Sequence, residues 1–427
     1  MTATRPSPTG LVSRTRPLAE AGDLLDSLGH DGAAWLHDGG GLVTSGVAAR
    51  IGVGLGPDRF RRAADDVAAL LDATDTDDPL GLPGTGPLAI GALPFHSQAR
   101  GQLVVPAVVV GRTAQGVAWV TDTAPVAAGP GGDGASAPDP APARLSVAGD
   151  GAGLVGDRGD DGRRAWTAAV HDAVARIVSG PLAKVVLARE VVVDADRAFD
   201  RRDILERLRQ GDLASFTYAV GGFIGASPEL LVRRRGNRVV SRPMAGTAVR
   251  GATPADDARM VAALAASPKE GEEHALVVRA VREALDPVCA ELVAGNRPDS
   301  VRLATVTHLA TTVAGRLLEP APSALALVGL LHPTPAVGGL PCADALTAIA
   351  ELEAFDRGLY AGPVGWVDSR GDGDWAVALR CARLDGTRAR LVAGAGIMAG
   401  SDPDAEWAET EAKLEPMLRA LQVSARR

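Results

Sequence analysis

RAWTAAVHDAVARIVSGPLAKVVLAREVVV, residues 164–193, is where the character of the chain changes. Its first part has apolar residues at helical spacing and stops at Gly180-Pro181, a helix end signal; its second is a β-branched run that reads as a strand, with Lys184 at the mouth. Downstream, 216–226 and 230–233 read as strands, and the turn ASPE between them puts Glu229 at the start of the second. Residues 270–292 read as a helix with Ala275, Val278, Val281 and Leu285 on one side. Residues 405–421 read as another, with Trp407, Leu414, Met417 and Leu421 toward the core. Upstream, apolar runs such as 103–111 between turn-rich breaks suggest strands of a sheet. No period of 20 to 50 residues repeats, which excludes solenoids and propellers.

Only three of the 44 basic residues are lysine, at Lys184, Lys269 and Lys413. Arginine serves for solubility and carboxylate forks, but its pKa is too high to give up a proton near neutral pH. A chain that keeps so few lysines needs an amine where they stand, unless they are surviving surface charges. Glu270 and Glu273 are three apart on one expected helix, and Glu406 and Glu409 three apart on the other. Each pair shares a helical face, where like charges repel by a few tenths of a kcal/mol, roughly, unless a cation intervenes. A hard divalent ion such as Mg2+ suits carboxylates that bind it partly through water; two solvated acidic faces fit the spacing equally well.

His308 stands near the end of an expected strand in VTHLATTVAG, and His332 in the Pro-rich turn LHPTPAVGGLP. Either could position a hydroxyl, or be a satisfied structural residue. Arg380 follows the strand-like WAVAL, and Gly394 and Gly396 in VAGAGIM permit close backbone approach; together they could receive a carboxylate, or AGAG could be a tight bend.

At 427 residues, two or three domains or one large duplicated domain are expected. With 46% hydrophobic and only 3% aromatic residues, the core must lean on Ala, Val and Leu. A net charge of -8 without a basic stripe argues against nucleic acid as partner. Cys289, Cys342 and Cys381 form no CxxC pair, so neither a disulfide framework nor a thiolate zinc site is expected, and a reducing cytoplasm fits. No run approaches membrane-spanning length. Residues 1–16 carry Arg5, Arg14 and Arg16 among Ser, Thr and Pro without an apolar signal core, and read as a frayed, disordered start. Residues 127–143, AAGPGGDGASAPDPAPA, read as a flexible loop. Gly52, Gly54 and Gly56 superficially resemble a dinucleotide loop, but the spacing is wrong and no helix is expected after Pro57.

Taken in order, KVVLARE (184–190), GASPELL (225–231), PMAGTAVRG (243–251), KEGEEHALVV (269–278), THLATTVAG (307–315), LHPTPAVGGLP (331–341), ELEAFDRGLYAGPVGW (351–366), LRCA (379–382), AGAGI (393–397) and EWAETEAK (406–413) closely resemble the chorismate-utilising enzymes. These include isochorismate, salicylate, anthranilate and aminodeoxychorismate synthases. The resemblance implies an α+β fold in which two large, mostly antiparallel sheets pack face to face with helices outside and the active site between. Residues 17–163 would form the less constrained N-terminal half and 164–427 the catalytic half.

By resemblance, Lys184 matches the lysine that activates water and Glu229 the general acid. Glu273 and Glu409 match direct Mg2+ ligands, and Glu270 and Glu406 those acting mainly through water. Tyr360 and Arg380 match groups around the enolpyruvyl side chain. Gly246, Thr247, the Gly394 to Gly396 backbone and Lys413 match groups around the ring carboxylate, and His308 a histidine beside the reacting ring. Lys269 matches a frequent lysine without an assigned role.

Ala245 stands where the aminodeoxychorismate type has a catalytic lysine, and Lys184 argues for water rather than ammonia as nucleophile. Ala336, Cys381 and Ala382 look like the isochorismate synthases; Gly338, where many of these have serine, departs from them, and Tyr360 occurs in salicylate synthases too. The expected activity is therefore the Mg2+-dependent isomerisation of chorismate to isochorismate, feeding siderophore, menaquinone or salicylate synthesis, in a cytoplasmic monomer without a glutaminase subunit. Salicylate synthase, with further loss of pyruvate, is the alternative; an ammonia-using subunit and a non-catalytic chorismate-binding protein come after it.

Overall fold

The computed structural model describes residues 10–126, 152–154, 160–212 and 214–422. The expected loop at 127–143 lies outside these residues. Among them the chain forms eight α-helices and three sheets, of 13, nine and three strands. Every strand pairing is antiparallel except that of Leu11–Leu18 with Asp75–Asp77. One continuous apolar cluster holds Val185 and Leu187 of the 13-stranded sheet together with Leu88, Ile90 and Val364 of the nine-stranded one. It is built mainly from Leu, Val and Ala. No helix among the described residues is long and apolar enough to cross a membrane.

Both halves of the chain contribute to each large sheet. Phe216–Val220 pairs with Ala34–His37 in the 13-stranded sheet, and Pro363–Asp368 with Leu88–Ala92 in the nine-stranded one. The boundary expected near residue 163 is therefore no break between sheets.

Two neighbouring segments pass from one large sheet to the other. Phe223–Ser227, in the 13-stranded sheet, runs on through Pro228 and Glu229 into Leu230–Arg235 of the nine-stranded sheet. Beside it, Gly373–Val377 runs through residues 378–380 back into Cys381–Asp385. The Val377 N–H donates to the Glu229 carbonyl (3.1 Å) and the Ala226 N–H to that of Arg380 (3.2 Å), so the crossings are stitched together. Glu229 and Arg380 thus sit where the sheets part.

The structure departs from the sequence reading at several places. Residues 11–16 belong to the strand Leu11–Leu18 rather than to a disordered start. Its inward positions are Leu11, Ser13 and Thr15, and the two hydroxyls meet Thr123 (3.0 Å) and Thr121 (2.8 Å). The inward face is satisfied by hydrogen bonds rather than apolar surface, which hides it from a hydrophobicity pattern. The 270–292 helix is Pro268–Leu285, and Cys289–Ala294 is a strand. Its buried face is Glu273, His274, Val277, Val281 and Leu285, with Ala275 exposed. Residues 216–226 fold as two strands turning at Gly221 and Gly222. A helix, Arg59–Asp72, does follow Pro57. The second long helix, Pro403–Ala420, buries Trp407, Leu414 and Met417 as expected.

A buried ion pair fixes the wall behind the Lys184 strand. Arg357 and Glu353, 0% and 3% exposed, are paired across four residues of the loop that follows the helix Cys342–Leu352. Arg357 also donates to the Val337 carbonyl (2.8 Å) and the Val186 carbonyl (2.7 Å), while Glu353 accepts from the Ala188 N–H (2.8 Å). Removing one partner leaves the other charge buried alone. Arg357→Met is expected to cost about 3–5 kcal/mol, read as a lowered unfolding midpoint, with the double variant Arg357→Met/Glu353→Met recovering part of the loss. A double variant less stable than the single would contradict this.

Candidate active site

Lys184 opens the strand Lys184–Ala195, which pairs with Arg388–Ile397 so that Val186 faces Gly396 and Ala188 faces Gly394. Residues directly opposite in an antiparallel ladder share a face, so Lys184, Val186 and the two glycines look the same way. The helix Pro268–Leu285, capped by Ser267, brings Glu273 over this face, and the Lys184 ammonium, 1% exposed, meets Glu273 Oε1 at 2.8 Å. A Cβ on Gly396 would lie 2.6 Å from that oxygen and 3.0 Å from Lys184 Cε, so only glycine admits the pair.

The helix Pro403–Ala420, capped by Asp402, supplies the opposite side. Lys413 Nζ donates to the Gly394 carbonyl at 2.9 Å and pairs with Glu409 at 2.5 Å. Lys269, the lysine without an assigned role, pairs with Glu406 at 3.3 Å. All three lysines of the chain therefore hold a glutamate of the two pairs seen in the sequence. The fourth, Glu270, accepts the Thr247 N–H at 2.9 Å, next to Gly246, whose φ of +79° suits glycine.

These elements enclose one cavity. Glu273, Glu409 and Lys413 line it on the helix side, Thr247 and His308 on the three-stranded sheet, and Glu229, Arg380 and Tyr360 at the junction of the large sheets. Gly246, Gly394 and Gly396 also line it. Lys184 stands behind Glu273, and Glu270 and Glu406 behind the wall, rather than on its surface. Val186, Met244, Val337 and Leu379 form apolar wall that the sequence reading did not single out; single apolar residues in strands carry no signal beyond core. His332 lies elsewhere: its Nε2 faces the Phe95 carbonyl at 3.0 Å, between Phe60 and Phe95, and burial pushes its pKa down to about 4. It is a packed structural residue, not one that positions a reacting hydroxyl.

The electrostatics separate the acids. Burial pushes Glu229 up to about 7, against the Met244 N–H and the charges of Lys184, Arg380 and Lys413. Burial, then the neighbouring Glu409, likewise pushes Glu406 up to about 7. Burial also acts on Glu273, but Lys184 beside it outweighs this and holds its carboxyl below the usual range. His308 is driven well below its ordinary value by burial, then by Arg380 and Lys413. Arg380 Nη2 lies 2.9 Å from His308 Nε2. A guanidinium can only donate, so Nε2 accepts; the proton sits on Nδ1, facing Thr247 Oγ1 at 3.1 Å. His308 is thus neutral and orients Arg380.

Four carboxylates in two pairs, two of them on the cavity surface, make an all-oxygen donor set for a hard cation. Among the described residues no three His, Cys, Asp or Glu side chains converge on one point. That arrangement fits an ion held directly by one or two carboxylates, with waters and a substrate anion completing its octahedron.

The family profile described as "Chorismate binding enzyme" matches residues 154–422. A Mycobacterium tuberculosis protein provisionally named isochorismate synthase MenF is 42% identical over 353 residues, covering 80% of this chain and 88% of that protein. Isochorismate synthase DhbC of Bacillus subtilis is 42% identical over 265 residues, covering 60% of this chain and 67% of its own. The structure of MenF, the menaquinone-specific isochorismate synthase of Escherichia coli, superposes with a TM-score of 0.75 at 26% identity, covering 96% of this chain and 94% of that one. With this extent of matching sequence and an α+β architecture in common, the chain belongs to the chorismate-binding enzyme family.

Proposed function

We propose that the protein is an isochorismate synthase, using Mg2+ to convert chorismate into isochorismate. The observation that carries this is one buried cavity with a carboxyl near neutral pKa, Glu229, a lysine amine adjoining it, Lys184, and two further cations, Arg380 and Lys413. The names of the relatives support the same reading.

Chorismate is a dianion. Lys413, fixed by the Gly394 carbonyl, would meet the ring carboxylate, and Arg380, oriented by His308, the enolpyruvyl carboxylate. Glu273 and Glu409 would hold Mg2+, with Glu270 and Glu406 acting through water; the ion supplies positive charge that draws electrons from the ring as a Lewis acid. Lys184 takes a proton from the water that attacks C2, and Glu229 gives its proton to the hydroxyl leaving C4 as the ring double bonds shift. The Lys184 ammonium donates to Glu273, so before it acts as base Lys184 must give up one proton, to Glu273 or to solvent, and become the neutral amine. We place the enzyme in the cytoplasm as a monomer without a glutaminase subunit, and its product in menaquinone, siderophore or salicylate synthesis.

Incubated with chorismate and Mg2+, the wild-type protein is expected to form an isomer of unchanged mass without pyruvate. Lys184→Arg keeps the charge and loses the base, and is expected to fold normally with turnover reduced by about 10²–10⁴-fold. Salicylate with pyruvate would replace this reading with salicylate synthase; an ammonium-dependent amine would point to the amidotransferase branch; wild-type turnover in Lys184→Arg would overturn the base assignment.

Glu229 acts as an acid only while protonated, so kcat/KM is expected to fall as pH rises through about 7. A folded-state value raised above the ordinary carboxylate range also means a native state that binds more protons, so stability falls as pH rises from that range through about 7. A kcat/KM profile flat across this window would contradict the acid role of Glu229.

A further inference from the structure

The active-site cavity, about 50 Å³, has a larger neighbour of about 390 Å³, and Pro228 and Arg380 form part of the wall of both. The inner space admits a few waters, whereas a bound ring compound needs several hundred Å³, roughly. Side chains must therefore part to admit an organic ligand, and the two sides differ in charge. On the metal side stand four carboxylates, Glu270, Glu273, Glu406 and Glu409, against three lysines, Lys184, Lys269 and Lys413, which leaves one acid in excess. An approaching dianion is repelled there. The outer chamber carries Arg207, Arg419 and Arg380 against one acid, Asp212, over apolar surface from Leu303 and Pro416. Arg207 and Arg419 make ion pairs along their own helices, with Asp203 and Glu415, and remain 33% and 65% exposed. Arg380, with φ at 49°, occupies the left-handed region that non-glycine residues seldom adopt.

We propose that this outer chamber is the entry route for the organic substrate, an antechamber for a carboxylated ring, with the Arg380 side chain as the partition that yields. The proposal rests on the reading of the inner cavity as the chorismate site. Cations and substrate then approach from opposite sides. Carboxylate-lined surface draws the metal, while arginines at the rim steer the dianion inward and Arg380 receives it. Apolar surface in the chamber covers the ring face on the way.

The test is stopped-flow binding of chorismate in Mg2+ to full-length Lys184→Arg protein, compared with the same protein carrying Ala304→Phe or Arg419→Glu. Both positions are exposed in the folded chain and line the chamber. Ala304→Phe, which narrows the mouth, is expected to lower association and dissociation rate constants together, about tenfold, with Kd nearly unchanged. Arg419→Glu is expected to slow association about three- to tenfold at low salt, a difference lost in concentrated salt. Association as fast as the parent's in both variants, or an Ala304→Phe change confined to dissociation, would overturn the route and leave the functional reading standing. A parent protein that binds no chorismate would overturn both.

Discussion

The backbone hydrogen bonds from Val377 to Glu229 and from Ala226 to Arg380 tie together two segments that change sheets side by side. A strand leaving one sheet for another must break its ladder for a few residues, and here each break is satisfied by the other crossing. The Ser227 hydroxyl reinforces the seam, donating to the Val377 carbonyl at 2.5 Å and accepting from the Glu229 N–H at 3.2 Å. Side chains projecting from such a seam leave the ladder but stay inside the protein. Burial then does chemical work: it raises Glu229 to about 7, and beside it Arg380 is held by a hydrogen bond to His308.

Charge balance sets the second constraint. Two helices direct two glutamates each toward one cavity, and carboxylates buried this close need compensation. Lys184, Lys269 and Lys413 provide it, one to a glutamate. The scarcity of lysine elsewhere in the chain and its presence at these positions are thus one fact: each of the three ammonium groups is placed against one glutamate of the two helical pairs. In the proposed function one of these lysines, Lys413, has both duties, as counter-ion of Glu409 and as receptor of the ring carboxylate.

Much of this was legible in the sequence because it is local. Glu270 with Glu273, and Glu406 with Glu409, fall on one helical face by spacing alone, and the β-branched run after Pro181 announces the Lys184 strand. The order of motifs identified the family and, through it, the α+β sheets. What stayed hidden is non-local. Nothing in ASPE or LRCA shows that the two lie side by side at a seam, or that Arg357 fastens Val186 to Val337. The Leu11–Leu18 strand was missed because Ser13 and Thr15 face inward through paired hydroxyls, and the helix was carried past Leu285 because CAELV continues its apolar pattern while pairing as a strand with Val313–Leu317.

In the proposed reaction water, activated by Lys184, adds to the ring as the C4 hydroxyl departs opposite Glu229. The most direct test is to run the Mg2+-dependent reaction in heavy-oxygen water and weigh the product. One heavy oxygen in an otherwise isomeric product is the predicted result. An isomer formed without solvent oxygen would mean that the hydroxyl migrates within the substrate, and would contradict the assignment of Lys184 as the base that activates water.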